Sequence, residues 1–268
     1  MDEAVSGTQT FQGAAEAYDF FMGRYSRALA SPFADSCLPD DGRFLDVGCG
    51  PGALTEIAAQ RLGAPRVAAV DPAQQFVEAC RARCPGVDVR LAPAEQLPFA
   101  DGEFAATAAQ LVMHFVSDPA RAVGRMRDAT ARGGRVSAAV WDRDGGMQLL
   151  SMVWDAARTF STTDALRASP LGANGLRFGR PGELAGLWRE GGLVDVDEAT
   201  ITVEARYTGI DELWQTLLAG IGPAGTYVLS LARDDRDRLR SALSERVGHP
   251  GDAFSLAGLA RVVRGRVD

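Results

Sequence analysis

The sequence predicts an α/β fold built on an open, doubly wound, mostly parallel sheet. Three observations predict it. Short apolar runs alternate with helix-length amphipathic runs between Arg43 and Trp141. The first apolar run, Arg43-Phe44-Leu45-Asp46-Val47, empties into a loop of alternating glycines, Gly48, Gly50 and Gly52. The first two runs carry carboxylates at their ends, Asp46 and Asp71. Strand–helix–strand repetition implies right-handed crossovers and parallel pairing. A buried strand that feeds a glycine-rich turn and a helix start is how open α/β sheets hold nucleotide-like ligands.

Each element follows in order. Residues 1–10 are polar and loose at a terminus. Residues 14–30 carry Tyr18, Phe20, Phe21, Met22, Tyr25 and Leu29 at helical spacing. They read equally as a helix packed on the sheet and as a cover over a ligand. Residues 43–47 form the first strand and residues 53–62 a helix. Residues 67–71 form the second strand, and residues 73–84 a helix begun by Asp71-Pro72. Residues 87–91 alternate as a third strand. Asp101-Gly102 turns the chain into a fourth strand ending at Gln110. Residues 119–130 form a helix with Asp118 as N-cap and Pro119 in its first turn. Gly133-Gly134 turns into a fifth strand ending at Trp141. Beyond it the regularity breaks. Residues 147–160 are helical, residues 169–181 run over the surface, and residues 182–190 form a short helix. Residues 193–207 alternate as a sixth strand, residues 211–218 form a helix, and residues 233–247 form a charged one. Residues 254–267 return as the last strand. No internal repeat interrupts this order.

Composition narrows the function. The chain has 268 residues, a net charge of −7 and a hydrophobic fraction of 46%, as expected of one well-buried soluble domain. The acidic balance disfavours a nucleic-acid surface, which needs a basic stripe. All 28 basic residues are arginine, which excludes lysine Schiff-base chemistry. The four cysteines form no C-x-x-C pair, and two histidines are too few for a zinc cluster. No metal is expected. The acidic N-terminus carries no signal-peptide pattern, and no run reaches the ~20 apolar residues of a membrane helix. A cytoplasmic protein with reduced thiols and no membrane partner is therefore expected, as a monomer or a homodimer.

Gly48-x-Gly50-x-Gly52 is one residue tighter than the G-x-G-x-x-G of dinucleotide sites, and no lysine follows as a Walker loop requires. With Asp46 just before it, the loop resembles motif I of class I S-adenosylmethionine-dependent methyltransferases. The ordered strands bearing Asp46, Asp71 and Glu95 resemble the type 11 methyltransferase family, near the ubiquinone/menaquinone-biosynthesis-like small-molecule enzymes. The resemblance covers residues 14–141 well and the rest loosely. It implies a seven-stranded, Rossmann-like, doubly wound and mostly parallel sheet with an antiparallel last strand, in one domain over residues 1–268. Residues 31–141 would be the cofactor-binding core, and residues 193–207 and 254–267 the terminal strands. Residues 142–180 and 208–250 would be insertions forming an acceptor lid.

The same resemblance implies S-adenosyl-L-methionine as cofactor and S-adenosyl-L-homocysteine as product. Asp71 lies where a doubly wound fold puts the acid that accepts from both ribose hydroxyls. In Ala92-Pro93-Ala94-Glu95, the Ala94 backbone would meet the adenine ring and Glu95 its exocyclic amine. Tyr18, Arg24, Asp46, Gly48, Cys49, Gly50, Pro72, Gln110 and Leu111 complete the implied cofactor set. Simpler roles stand beside these: Asp46 as a partner of loop amides, Asp71 as an N-cap, Glu95 as a solvated carboxylate. The segment from Leu111 to Pro119 would line the methyl group and the acceptor.

Methyl transfer from a sulfonium is an in-line displacement, so the enzyme supplies alignment and exclusion of water. A hydroxyl acceptor also benefits from a base. His114, after the fourth strand, is the candidate, because an imidazole titrates near pH ~6.5. The alternative for His114 is a packed, hydrogen-bonded ring; His249 reads as a surface-loop residue. Phe21, His114, Trp141, Met147 and Trp214 are the candidate acceptor contacts, with core packing as the alternative for each of Trp141, Met147 and Trp214. The expected activity is methylation of a small organic acceptor, foremost at a hydroxyl, then at nitrogen or carbon. A nicotinamide oxidoreductase and a non-methylating cofactor-binding protein are the competing classes.

Overall fold

The computed structural model describes residues 18–160, 176–248 and 251–268. Its seven strands are β1 (Phe44–Val47), β2 (Val67–Asp71), β3 (Asp88–Leu91), β4 (Phe104–Gln110), β5 (Thr130–Trp141), β6 (Val194–Tyr207) and β7 (Phe254–Arg266). They form one sheet in the order β3-β2-β1-β4-β5-β7-β6. Strands β1 to β5 pair in parallel, and β7 runs antiparallel to both β5 and β6. The strand order reverses between β1 and β4, which opens a crevice at the carboxyl ends of these strands.

The helices are α1 (Arg24–Cys37), α2 (Ala53–Leu62), α3 (Gln74–Arg83), α4 (Pro119–Ala129), α5 (Gln148–Ala157), α6 (Glu183–Glu190), α7 (Ile210–Leu218), α8 (Gly222–Ser230) and α9 (Arg233–Val247). Alternate strand residues feed opposite cores. Phe44, Val67, Ala106 and Ala139 pack with Leu29 and Phe33 of α1 and Leu54 and Ala58 of α2. Leu45, Val47, Val70 and Val136 pack with Met126 of α4 and Trp188 of α6. All four residues of β1 are buried, as expected of a central parallel strand covered on both faces. Trp188 is fully buried, and its indole N–H donates to the Val136 carbonyl at 2.9 Å, the partner a buried tryptophan needs.

Strands β6 and β7 pair over their full lengths, from Val194 with Arg266 to Tyr207 with Phe254. β5 pairs with β7 only from Ala260 to Arg266, so the other end of the β6–β7 pair projects past the end of β5. Helix α5 packs on α8 and α9, and α7 packs on both of these helices as well. Among the described residues no helix is long and apolar enough to cross a membrane.

Three elements differ from the sequence expectation, the first being β5, which already begins at Thr130 and carries Gly133-Gly134 inside it. The N-terminal helix does not stop before Pro32. A π-helical turn, Asp19–Gly23, leads into α1, which continues through Pro32 to Cys37. Phe33, Ala34 and Cys37 beyond the proline are fully or almost fully buried, and that burial outweighs the hydrogen bond that proline removes. Helix α8 was not expected. It begins Gly-Pro with proline in the first turn, a legitimate helix start whose glycines mask it. Residues 14–17, most of the expected surface run over residues 169–181, and His249 lie outside the described residues.

Candidate functional site

The glycine loop is built from its backbone. The amides of Gly48 and Cys49 both donate to the Val70 carbonyl, at 2.8 and 2.9 Å, which ties the end of β1 to the end of β2. Gly48 has φ +74°, and a Cβ there would lie 2.4 Å from Val112 Cγ2. Gly50 has φ +52° and faces open space, with nothing within 4 Å of an added Cβ. The loop therefore presents bare backbone to a crevice of about 910 Å³.

Asp71 closes β2 and lines that crevice, 6% exposed. Its Oδ2 accepts from the Gly50 amide and its Oδ1 from the Ala73 amide, both at 2.9 Å. Each oxygen keeps a second lone pair, so the carboxylate is oriented yet can still accept from a vicinal diol. Burial pushes its carboxyl up to about 6, against those two amides. Asp46 lies inside β1, 1% exposed. Its Oδ2 accepts from the Thr55 hydroxyl at 2.6 Å, while Oδ1 is buried without a hydrogen-bond partner. Burial pushes the Asp46 carboxyl up to about 7.

Tyr18, Pro72, Ala94, Glu95, Gln110 and Leu111 also line the crevice. Leu111 holds φ +63° and donates its amide to the Ala139 carbonyl at 2.7 Å. A left-handed leucine costs ~1–2 kcal/mol, here at the turn where β4 enters the crevice wall. Gln110 Nε2 donates to the Ser26 carbonyl at 3.0 Å. Glu95 Oε1 accepts from the amides of Ser117 and Asp118, at 3.1 and 3.2 Å, which ties the loop after β3 to the start of α4. Asp118 caps α4 through the Arg121 amide at 3.0 Å, as its sequence position predicts. Phe76 is a wall residue that sequence reasoning missed; its ring packs edge-on against Tyr18 at 5.4 Å. Its signal was faint: the first large apolar residue after Asp71-Pro72.

Other candidates sit elsewhere. Arg24 stacks over the Tyr207 ring at 4.3 Å, and donates to Glu212 Oε1 at 2.9 Å and to the Arg206 carbonyl at 2.8 Å, so its guanidinium is committed to the far end of β6. Cys49 is buried in a small cluster with Cys80 and Cys84. Hydrogen bonding to Cys80, then burial, holds its thiol well above the usual pKa. Phe21, Trp141, Met147 and Trp214 belong to the main core and are not among the residues lining the crevice. Trp141 packs edge-on against Tyr25 at 6.0 Å.

His114 is buried with both ring nitrogens engaged. Nε2 accepts the Trp141 amide at 2.8 Å, so Nδ1 carries the proton and donates to the Arg177 carbonyl at 2.7 Å. Burial then holds its pKa down at about 4. Its folded value lies below the unfolded ~6.5, so the unfolded chain takes up a proton that the native chain refuses. Stability from this group is present above pH ~6.5 and falls as pH falls toward 4, by about 3 kcal/mol in all. Asp46 and Asp71, with raised values, act oppositely. His114→Gln, which can keep one donor and one acceptor, isolates the histidine. Its unfolding temperature is expected to drop less than that of wild type between pH 7 and 4.5; parallel curves would contradict the buried neutral ring. Among the described residues, no group of three or more His, Cys, Asp or Glu side chains could hold a metal.

Comparison with known proteins agrees with this geometry. Residues 45–138 match the family model described as a methyltransferase domain. An uncharacterized methyltransferase of Mycobacterium tuberculosis is 35% identical over 125 residues, 45% of this chain and 50% of that protein. The match thus spans about half the length of that relative. A trans-aconitate 2-methyltransferase of Rhizobium leguminosarum is 29% identical over 165 residues, 60% of this chain and 62% of that protein. Among solved structures, an S-adenosylmethionine-dependent methyltransferase of Thermotoga maritima, a possible histamine N-methyltransferase, superposes with TM-score 0.55. It is 19% identical, with 94% of this chain and 95% of that chain covered. At that identity the likeness speaks for the fold alone. The chain is thus similar to a methyltransferase domain over residues 45–138 and shares the fold of a solved S-adenosylmethionine-dependent methyltransferase.

Proposed function

We propose that the chain transfers the methyl group of S-adenosylmethionine to a small-molecule acceptor, at an oxygen that is already ionised. The observation that carries the cofactor reading is Asp71, pinned by the Gly50 and Ala73 amides beside the bare Gly50 turn. A side chain at position 50 would fill the cradle that the glycine leaves open. When bound, the cofactor supplies an electrophilic methyl group on a sulfonium. Asp71 would accept from the ribose hydroxyls, Ala94 and Glu95 would border the adenine, and Gly48, Gly50 and Pro72 would shape the floor. Tyr18, Gln110 and Leu111 would complete the walls, with Asp46 behind the loop. Helices α5 and α7–α9 would form the acceptor lid.

The acceptor reading rests on His114. Its accepting lone pair is taken by the Trp141 amide, so the ring is not poised to remove a hydroxyl proton. A carboxylate or phenolate needs no such base, and alignment and desolvation suffice. The relatives named for trans-aconitate are consistent with a small anionic acceptor. The test is a binding titration with S-adenosylhomocysteine and with NADH, followed by transfer of labelled methyl to a panel of carboxylates, phenols and amines. Binding of the first ligand alone, with label in an ester or ether, is expected. Binding of NADH alone would end the cofactor reading, and label confined to amines would end the oxygen reading.

A further inference from the structure

We propose that Arg83 is a positioning residue for the cofactor, a clamp whose forked guanidinium ties two walls of the crevice together; the proposal rests on the cofactor reading above. Arg83 is the last residue of α3. Its Nη1 donates to the Pro51 carbonyl at 2.7 Å, inside the glycine loop. Its Nη2 donates to Asp19 Oδ2. Asp19 opens the π-helical turn and directly follows Tyr18, which lines the crevice and packs on Phe76. One side chain therefore joins the glycine floor to the Tyr18 wall.

Three further observations fit a built device. Arg27 Nη1 approaches the same Asp19 oxygen at 3.1 Å, so two cations hold one carboxylate. The turn carrying Asp19 is π-helical, a wider winding frequent at functional sites. Gly23 leaves room for the carboxylate, since a Cβ there would lie 2.7 Å from Asp19 Oδ1 and 3.0 Å from Arg27 Nη1. A planar fork serves Pro51 and Asp19 at once with fixed geometry, whereas a lysine presents one compact ammonium on a flexible stem. The pair is part-buried, with Arg83 and Asp19 side chains 26% and 20% exposed, so solvent screens it only in part.

The consequence is kinetic. While the clamp holds, floor and wall move together and the cofactor leaves slowly. Once it is broken, the Tyr18 wall can swing without disturbing the sheet. The loss falls on dissociation rather than association, as for most changes in an established contact surface.

The experiment measures the dissociation rate of labelled S-adenosylhomocysteine from the full chain by chase with unlabelled compound. Arg83→Ala and Asp19→Ala are each expected to raise it about tenfold, the scale of a lost charged hydrogen bond, with association rates near wild type. The double variant is expected to dissociate no faster than either single one, because both break one clamp. Arg83→Lys is expected to lie between. Gly23→Ala, which keeps every charge but displaces the Asp19 carboxylate, is expected to speed release and guards against a general loss of folding. Wild-type dissociation rates in the single variants, or effects that multiply in the double one, would overturn the clamp. Absence of binding to wild type would instead bring down the cofactor reading, and the clamp with it.

Discussion

Asp71→Ala is expected to weaken S-adenosylhomocysteine binding by about 1–3 kcal/mol, roughly 5- to 150-fold in the dissociation constant. Two losses combine. On the proposed cofactor reading the ribose hydroxyls would lose their charged acceptor, and the amides of Gly50 and Ala73 lose the oxygens that orient them. Asp71→Asn is expected to lose nearly as much. Its amide can present one oxygen, but its NH2 would face the second backbone amide, donor against donor. The two variants thus separate charge from shape: a size-only role would let asparagine bind like wild type. The proton adds a second test. Burial pushes the Asp71 carboxyl up to about 6, and the ionised form is the better acceptor. Wild-type affinity is therefore expected to fall as pH drops from 7 to 5, while the Asp71→Ala curve stays flatter over that interval. Calorimetric titration at several pH values checks both, and an unchanged constant in Asp71→Ala would remove the residue from the site.

The contrast between what the sequence shows and what it hides is physical. Strand β2, helix α2 and the glycine loop are legible because their signals are local: an apolar run, a carboxylate, a turn that only glycine makes without strain. The start of α4 is legible for the same reason, since Asp118 and Pro119 act on their own first turn. The continuation of α1 past Pro32 is not, because the burial of Phe33 and Cys37 against the sheet overrides a local helix breaker. Helix α8 is hidden by glycines that read as loop.

Aromatic residues divide along the same line. Tyr18 and Trp141 look alike as sequence signals, each an aromatic in an element assigned to the candidate site. In the fold Tyr18 borders the crevice, whereas Trp141 turns into the core against Tyr25. Periodicity says that a side chain is buried and does not say against what. Arg24 and Arg83 show this for charge. Arg24 is near Tyr18 in sequence but is drawn to Glu212, 188 residues away. Arg83 stands in an ordinary helical charge pattern, and its bond to Asp19 spans 64 residues. Such pairings are properties of the packed chain.

Gly48→Ala is expected to be the most damaging single-methyl change in the crevice. Two costs fall on one residue. At φ +74° an alanine bears a left-handed penalty of ~1–2 kcal/mol. Its Cβ would also lie 2.4 and 2.7 Å from the two γ carbons of Val112, an overpacking that costs ~1–3 kcal/mol. Val112 cannot swing away cheaply, because a β-branched side chain is stiff at χ1 and its neighbour Leu111 already holds a left-handed backbone. The strain therefore passes into the Leu111–Val112 wall, and cofactor affinity falls along with the unfolding temperature. Gly50→Ala provides the control. An added Cβ there meets nothing within 4 Å, so it brings backbone strain without collision and places its methyl in the cradle itself. Affinity is expected to fall in both variants, but the loss of unfolding temperature is expected to be larger in Gly48→Ala. Adding Val112→Ala should return part of that stability in the Gly48→Ala background and none in the Gly50→Ala background. Thermal melts and titrations of the four proteins decide it: equal melting losses at positions 48 and 50, or no rescue by Val112→Ala, would show that the loop and the β4 wall are not in the contact that couples them.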